Sequence, residues 1–265
     1  PMLPGCITLL VLAGSWLLAG SSWFTDRCCC ACRRTSGREA RGALGWLEFA
    51  LAWAAFFATH SLPLRAPIRP WFQARLGPRG FALAYSALSL AALVWLIGAA
   101  GRAPFVPIWN WAPWQVDVTL TIMLPVCLIV ALAVGRPNPF SFGGARNERF
   151  YPKRAGIIRV TRHPLLVALA VWAAAHVVPN GDLAHVLLFG VFATFAALGG
   201  HLVDKRRQRE MGPEWQRLYD EVTASTGNVI PASWTAASAR LAAGVALYGG
   251  LIWAHPWLFW VSPLG

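Results

Sequence analysis

The sequence predicts an all-α, polytopic transmembrane helix bundle of about six spans, with an N-terminal hydrophobic extension and a cytoplasmic amphipathic helix. Three observations predict it. Of the 265 residues, 57% are apolar and only 13% charged, against about 25% charged in an ordinary globular domain. The apolar residues are gathered into runs long enough to cross a bilayer core, which takes roughly 20 residues of helix. The formal charge of +12 is confined to the segments between those runs. A disordered chain would carry far fewer apolar residues. A nucleic-acid binder would need a more densely charged surface, so nucleic acid is not an expected partner. The expected partner is a lipid bilayer.

Taken in order, the spans are Gly45 to His60 with the single charge Glu48, Phe81 to Gly101 with none, and Val116 to Gly135 with Asp117 at its edge. Pro164 to Gly181, Leu183 to Val203 and Leu241 to Gly265 follow, all without charge. Backbone in lipid must satisfy its own hydrogen bonds, so such runs are helices. Trp109, Trp111 and Trp114 precede one span, and Trp253, Trp257 and Trp260 lie near the end of another, where interfacial aromatics belong. Loops 61–80, 136–163 and 204–240 hold most of the Arg and Lys, while 102–115 and 179–183 hold only Arg102. The positive-inside rule then places the three basic loops in the cytoplasm, on the expectation of a bacterial inner-membrane, multi-pass protein.

The expected division is 1–42, an extension; 43–231, the main transmembrane domain; and 232–265, a C-terminal transmembrane helix. The extension has an apolar run, Ile7 to Phe24, with its Arg residues after the run rather than before it, unlike a signal peptide. Cys28, Cys29, Cys30 and Cys32 lack the C-x2-C spacing of a tetrahedral thiolate site. Segment 204–222 carries Met211, Trp215, Leu218 and Val222 on one stripe, which reads as an interfacial helix on the inner leaflet.

Ionisable side chains inside spans are the candidates for chemistry. Of the six His, His163 precedes Pro164 at the start of a span, His201 lies three residues before Asp204 as an expected His–Asp pair, His185 is near an outer helix end, and His255 is late in the last span. His176 follows a clearing of small residues, Ala173 to Ala175, with Trp172 one turn back. His60 closes an alternation of small and aromatic residues, Ala54 to Thr59. A small-residue clearing beside an imidazole suits a bulky group such as haem, and helix–helix hydrogen bonding gives the same pattern. His163 and His176 are thirteen residues apart on one helix, roughly 20 Å of rise, and cannot grip one ligand from one face.

The motifs Thr59-His60-Ser61, Gly80 to Ser89, Thr161-Arg162-His163-Pro164-Leu165-Leu166, Trp172 to His176, Asn180-Gly181-Asp182-Leu183, Gly212-Pro213-Glu214-Trp215 and Val229-Ile230-Pro231 together resemble the NnrU family of bacterial membrane proteins, over roughly 45–231. The resemblance implies a link to denitrification and nitric oxide metabolism, and kinship with a plastid 15-cis-zeta-carotene isomerase that uses haem b. Carried over by position, the axial ligands to the haem iron are His60 and His176. Trp172, one turn back from His176, would then lie beside the cofactor, and Arg162 or Arg159 would meet a propionate, since guanidinium forks match carboxylates. The isomerase has a Cys three residues before its second His; here that position is Ala173, so a thiolate–imidazole switch is not available. A more distant resemblance, in Arg162-His163-Pro164 and the basic tail, is to isoprenylcysteine and phospholipid methyltransferases. It implies an S-adenosylmethionine site near Asp204, but the acidic pair of those enzymes is replaced by Asp204-Lys205. A non-catalytic membrane scaffold or regulator is the remaining alternative.

Overall fold

The computed structural model describes residues 35–224, 233–259 and 261–264. The Cys28–Cys32 cluster, the Ile7 to Phe24 run and the Val229-Ile230-Pro231 motif lie outside the described residues. The described helices longer than one turn are α1 (Thr35–Ser61), α2 (Ile68–Arg102), α3 (Pro113–Ala133), α4 (Pro164–Val177), α5 (Leu183–Met211), α6 (Pro213–Ala224) and α7 (Trp234–Phe259). Segment Gly42–Leu64, α2, α3, α5 and α7 are long and apolar enough to cross a membrane. The protein is an all-α polytopic bundle, as its composition predicts.

One expected span is shorter than predicted. The apolar run Pro164 to Gly181 is helical only to Val177: Val178 keeps helical backbone, but Pro179 has no N–H to give to the carbonyl four residues back and so ends the ladder. The freed carbonyls find other donors: Asn180 Nδ2 donates to His176 O at 2.7 Å, and the Trp109 indole donates to Val178 O at 3.0 Å. Fourteen residues rise only about 21 Å.

The described chain falls into two compact units: residues up to 107 with Asp182–Ala184, and Ile108–Gly181 with residues from 185 onward. In the first, α1 and α2 pack antiparallel. Phe49, Ala52 and Phe56 on α1 and Ala92, Leu96 and Ala99 on α2 are buried at helical spacing. A Cβ on Gly45 would stand 3.1 Å from Arg102 O, so the two backbones approach closely there. Glu48, the lone acid of its span, is held by both Nε (3.2 Å) and Nη2 (2.5 Å) of Arg102, a bidentate fork that suits a carboxylate inside a helix pair. Gly77, at φ 69°, and Pro78 kink α2; only Gly adopts that backbone without strain.

In the second unit α3 lies against both α4 and α7. Pro113 starts α3, and Gln115 Oε1 accepts the Ala112 N–H at 2.9 Å. Thr119 Oγ1 donates to Ala175 O across the α3–α4 seam at 3.0 Å, and Tyr248 OH donates to Leu120 O across the α3–α7 seam at 3.1 Å. Arg240 Nη1 reaches Ala131 O (2.8 Å) and Val134 O (2.9 Å) at the end of α3. Gly244 is buried where α7 meets α3; a Cβ there would lie 3.1 Å from Leu128 Cα and 3.2 Å from Cys127 O. Small residues at such crossings substitute backbone contact for a hydrophobic drive that lipid does not supply.

Helix α6 corrects a second expectation. Its apolar stripe is not laid on a lipid leaflet: Trp215, Leu218 and Val222 are buried against Phe140, Ala155 and Ile158 of the 136–163 loop, with Met211 and Tyr219 at the margin. A stripe of that period binds whichever apolar surface covers it, and here the chain's own loop does so.

Gly244→Val is expected to destabilise the bundle by about 1–3 kcal/mol through overpacking against backbone. A lowered midpoint in thermal unfolding of detergent-solubilised protein, with Gly249→Val at an open position as control, checks it.

Candidate functional site

The most densely bonded polar cluster is built where the 136–163 loop, the start of α4 and the end of α5 meet. Asn138 begins it: its Oδ1 accepts the Phe140 N–H at 3.1 Å, a local turn that Asn side chains favour. Its Nδ2 donates to Arg162 O at 3.0 Å, and its own N–H donates to Asn147 Oδ1 at 2.8 Å. Gly144 fits beneath, where a Cβ would come within 2.9 Å of Arg136 O and of Asn138 N. This turn delivers Ser141, 1% exposed, to the imidazole of His163.

His163 is the residue before α4 and is buried. Its Nδ1 lies 3.0 Å from Ser141 Oγ and its Nε2 lies 3.0 Å from Asp204 Oδ1. Arg162 Nη2 donates to the other carboxylate oxygen, Oδ2, at 2.8 Å. Gly200 on α5 leaves room for the ring, since a Cβ there would stand 3.0 Å from His163 Cδ2. With Nε2–H donating to Asp204, Nδ1 accepts the Ser141 hydroxyl proton, so a neutral imidazole satisfies both neighbours. Burial pushes the His163 pKa below its ordinary value, against the pull of Asp204, with Arg162 adding to the lowering. Asp204 in turn holds the Arg162 guanidinium above its ordinary value, with burial opposing.

Ser, His and Asp in contact resemble a nucleophilic triad, but the chemistry does not follow. Ser141 is closed off from any substrate, and an attacking hydroxyl needs an open approach to a carbonyl carbon. The arrangement ties three chain segments together and fixes Arg162.

The expected His201–Asp204 pair is replaced by these contacts. His201 is exposed, and both Asp204 oxygens are engaged from α4's end of the chain. In the sequence His163 reads as a helix start before Pro164 and, under the methyltransferase resemblance, as a cofactor contact near Asp204; its direct pairing with Asp204 and Ser141 is missed there. The signal was Asp204 itself, an acid beside an apolar span whose burial demanded cationic or N–H donors.

The two imidazoles expected to bind haem share a local setting but not an end of the bundle. His60 closes its helix beside the basic loop 61–80, whereas His176 closes its helix away from the basic loop 136–163. One porphyrin held by both is at odds with the orientation the basic loops give. His60 is the penultimate residue of α1, half-buried, and its Nδ1–H donates to Phe56 O at 2.8 Å. Its ring lies 4.0 Å from the Phe56 ring and 6.4 Å from Tyr85. His176 is the penultimate residue of α4, half-buried, and its Nδ1–H donates to Trp172 O, also at 2.8 Å. Trp172 and Phe189 flank it at 5.0 and 5.4 Å. Both side chains therefore reserve Nε2 as the lone-pair nitrogen. A backbone acceptor on the far nitrogen is also the usual partner of a metal-ligating His. Trp172 is placed where the expectation put it, one turn back from His176. Arg162 is not: it stands at the opposite end of α4, roughly 20 Å of helix rise from His176, with its guanidinium on Asp204. A propionate contact from Arg162 to a haem on His176 does not fit that separation.

Between α6 and the 136–163 loop lies a cavity of about 470 Å³. Arg159, Arg162, His163 and Tyr219 line it on one side, Ile158 and Val222 on another, and none of its lining residues is an acid. S-adenosylmethionine carries an ammonium and a sulfonium cation, and this wall offers neither a carboxylate partner.

The apolar helices and the polar seams between them define a multi-pass membrane protein. The NnrU protein family model matches residues 48–263. The chain belongs to the NnrU family, and the match runs on through α7, past the residues that carry the motif resemblance. Curated proteins and solved structures give no match.

Asp204→Asn is expected to destabilise the protein by about 1–2 kcal/mol, because the half-buried Arg162 then lacks its counter-ion and His163 loses its carboxylate acceptor; a thermal or chemical unfolding midpoint measures this. His163 binds a proton less readily folded than unfolded, so stability falls as pH drops below about 6.5 and levels off beneath the folded pKa. Unfolding midpoints between pH 7.5 and 5 in wild type and His163→Asn check the sign: the wild-type decline should be the steeper.

Proposed function

We propose that this NnrU protein is a haem b-binding, multi-pass protein of the bacterial inner membrane, with His176 holding the cofactor, Trp172 against it, and His60 as a second imidazole prepared in the same way. The observation that supports the reading is the shared preparation of two imidazoles. Each sits one residue from a helix end, each gives Nδ1–H to the carbonyl four residues back at 2.8 Å, and each keeps Nε2 for a metal. Aromatic rings flank both, Phe56 and Tyr85 in one case, Trp172 and Phe189 in the other.

Bound haem supplies one-electron chemistry at iron. The chain's own residues hold the two ring planes through the Phe56 and Trp172 carbonyls, which fixes the tautomer and raises ligand basicity. A haem held through imidazole would support electron transfer or redox sensing. In a family associated with denitrification, that role serves nitrogen-oxide metabolism through an electron-transfer or sensing partner. The absence of a Cys at position 173 leaves no thiolate for an isomerase-type ligand exchange.

The test is an absorption spectrum of detergent-purified protein, oxidised and reduced, after expression with added haem precursor. The expected result is a Soret band. His176→Ala should shift or remove it, and His60→Ala reads whether the second imidazole contributes, with thermal midpoints confirming that the variants fold. A well-folded wild type with no Soret band overturns the reading. An unchanged spectrum in either variant removes that residue from the ligand set.

A further inference from the structure

The cavity beside Arg162 is not used by the haem reading, and its walls have a consistent chemistry. We infer that it binds a phosphate-bearing lipid headgroup from the leaflet at the basic-loop face, with Arg159 and Arg162 as the anion-binding side chains. Four observations carry this.

The first is an orphan donor. Arg162 commits Nη2 to Asp204 at 2.8 Å, while its Nε–H is buried with no hydrogen-bond partner. A buried N–H without an acceptor is costly, and native structures seldom leave one so. That atom has no open surface of its own, so an oxyanion in the cavity meets the exposed third of the Arg162 side chain and reaches Nε only after the fork turns.

The second is the lining. Arg159, Arg162, Thr161 and Thr223 bring cationic or hydroxyl groups to it, and no carboxylate faces it. Tyr219 presents its ring to the Arg162 guanidinium at 4.8 Å. That stacking holds the fork in one plane, which suits a flat or tetrahedral oxyanion.

The third is the other half of the wall. Phe140, Ile158, Val160 and Val222 are apolar, and Val160 is 71% exposed at the cavity's margin. A free phosphate has no use for apolar surface, whereas a glycerol backbone with the first acyl carbons does. The fourth is position. The cavity lies at the start of α4, an apolar helix in a chain of membrane-spanning helices, and headgroups reside at that level of a bilayer. The Asp204–His163–Ser141 lock then acquires a purpose: it sets the direction of Arg162 in advance, so that binding does not have to order it.

Native mass spectrometry of the full-length protein in detergent, titrated with phosphatidylglycerol or phosphatidylcholine, tests the inference. Wild type is expected to retain phosphatidylglycerol preferentially, and Arg159→Gln to weaken that retention about tenfold, the effect of one charge-assisted contact. Thr223→Trp, at an exposed position of α6, is expected to block the cavity without touching Arg162 and to lower retention similarly. Retention unchanged in both variants overturns the site. Displacement of the lipid by millimolar inorganic phosphate would overturn the lipid assignment in favour of a soluble phosphate anion. Since neither variant touches His60 or His176, the haem spectrum should be unaltered in both, whichever way the lipid result falls.

Discussion

One carboxylate organises the basic-loop end of the second unit. Asp204 accepts from Arg162 through one oxygen and from His163 through the other. Those two donors are adjacent in sequence, whereas the acid is about forty residues away on α5. Everything around it presupposes this closure. The start of α4 is held against α5, Ser141 is drawn in by the imidazole, and Asn138 is brought to the Arg162 carbonyl. Burying three polar groups together is acceptable only because each finds its partner; removing one strands the others. The apolar side of the same junction is Phe140, Ile158, Trp215 and Val222, so α6 is fastened by the loop that the carboxylate anchors.

This accounts for how far the sequence could be read. The spans were legible because lipid enforces a strict rule: Phe81 to Gly101 can only be helix where no water is present to satisfy its backbone. The stripe on α6 was legible as amphipathic from the spacing of Trp215, Leu218 and Val222, but not its cover. Periodicity reports that a face is apolar and is silent on what lies over it. Likewise, the end of α4 was misjudged because hydropathy does not register that Pro179 has no N–H to give.

The candidate site divides in the same way. His60 and His176 stood out because an imidazole amid small and aromatic residues is rare in a span. Their i−4 carbonyl contacts follow from helix geometry and were implicit in that placement. His163 and Ser141 were not legible as partners. Their contact depends on the fold of the loop through Asn138 and Gly144, a matter of tertiary packing that no local pattern encodes. Arg162 illustrates the limit most clearly: its type suggested carboxylate recognition, and a carboxylate does meet it, but it is the protein's own.

The early stop of α4 has a physical consequence of its own. A rod of about 21 Å falls short of a hydrocarbon slab of about 30 Å, a deficit large enough to strain the surrounding acyl chains by fractions of a kcal/mol for each ångström. The segment 178–181 that continues from it is irregular, and its polar backbone is tolerated at depth only where protein or water shields it. The Trp109 indole on Val178 O and the Ile108 N–H on Gly181 O provide part of that shield. The membrane next to His176 is therefore expected to be dimpled and comparatively wet, which would give protons and small polar solutes a shorter path to this imidazole than its place in an apolar helix suggests.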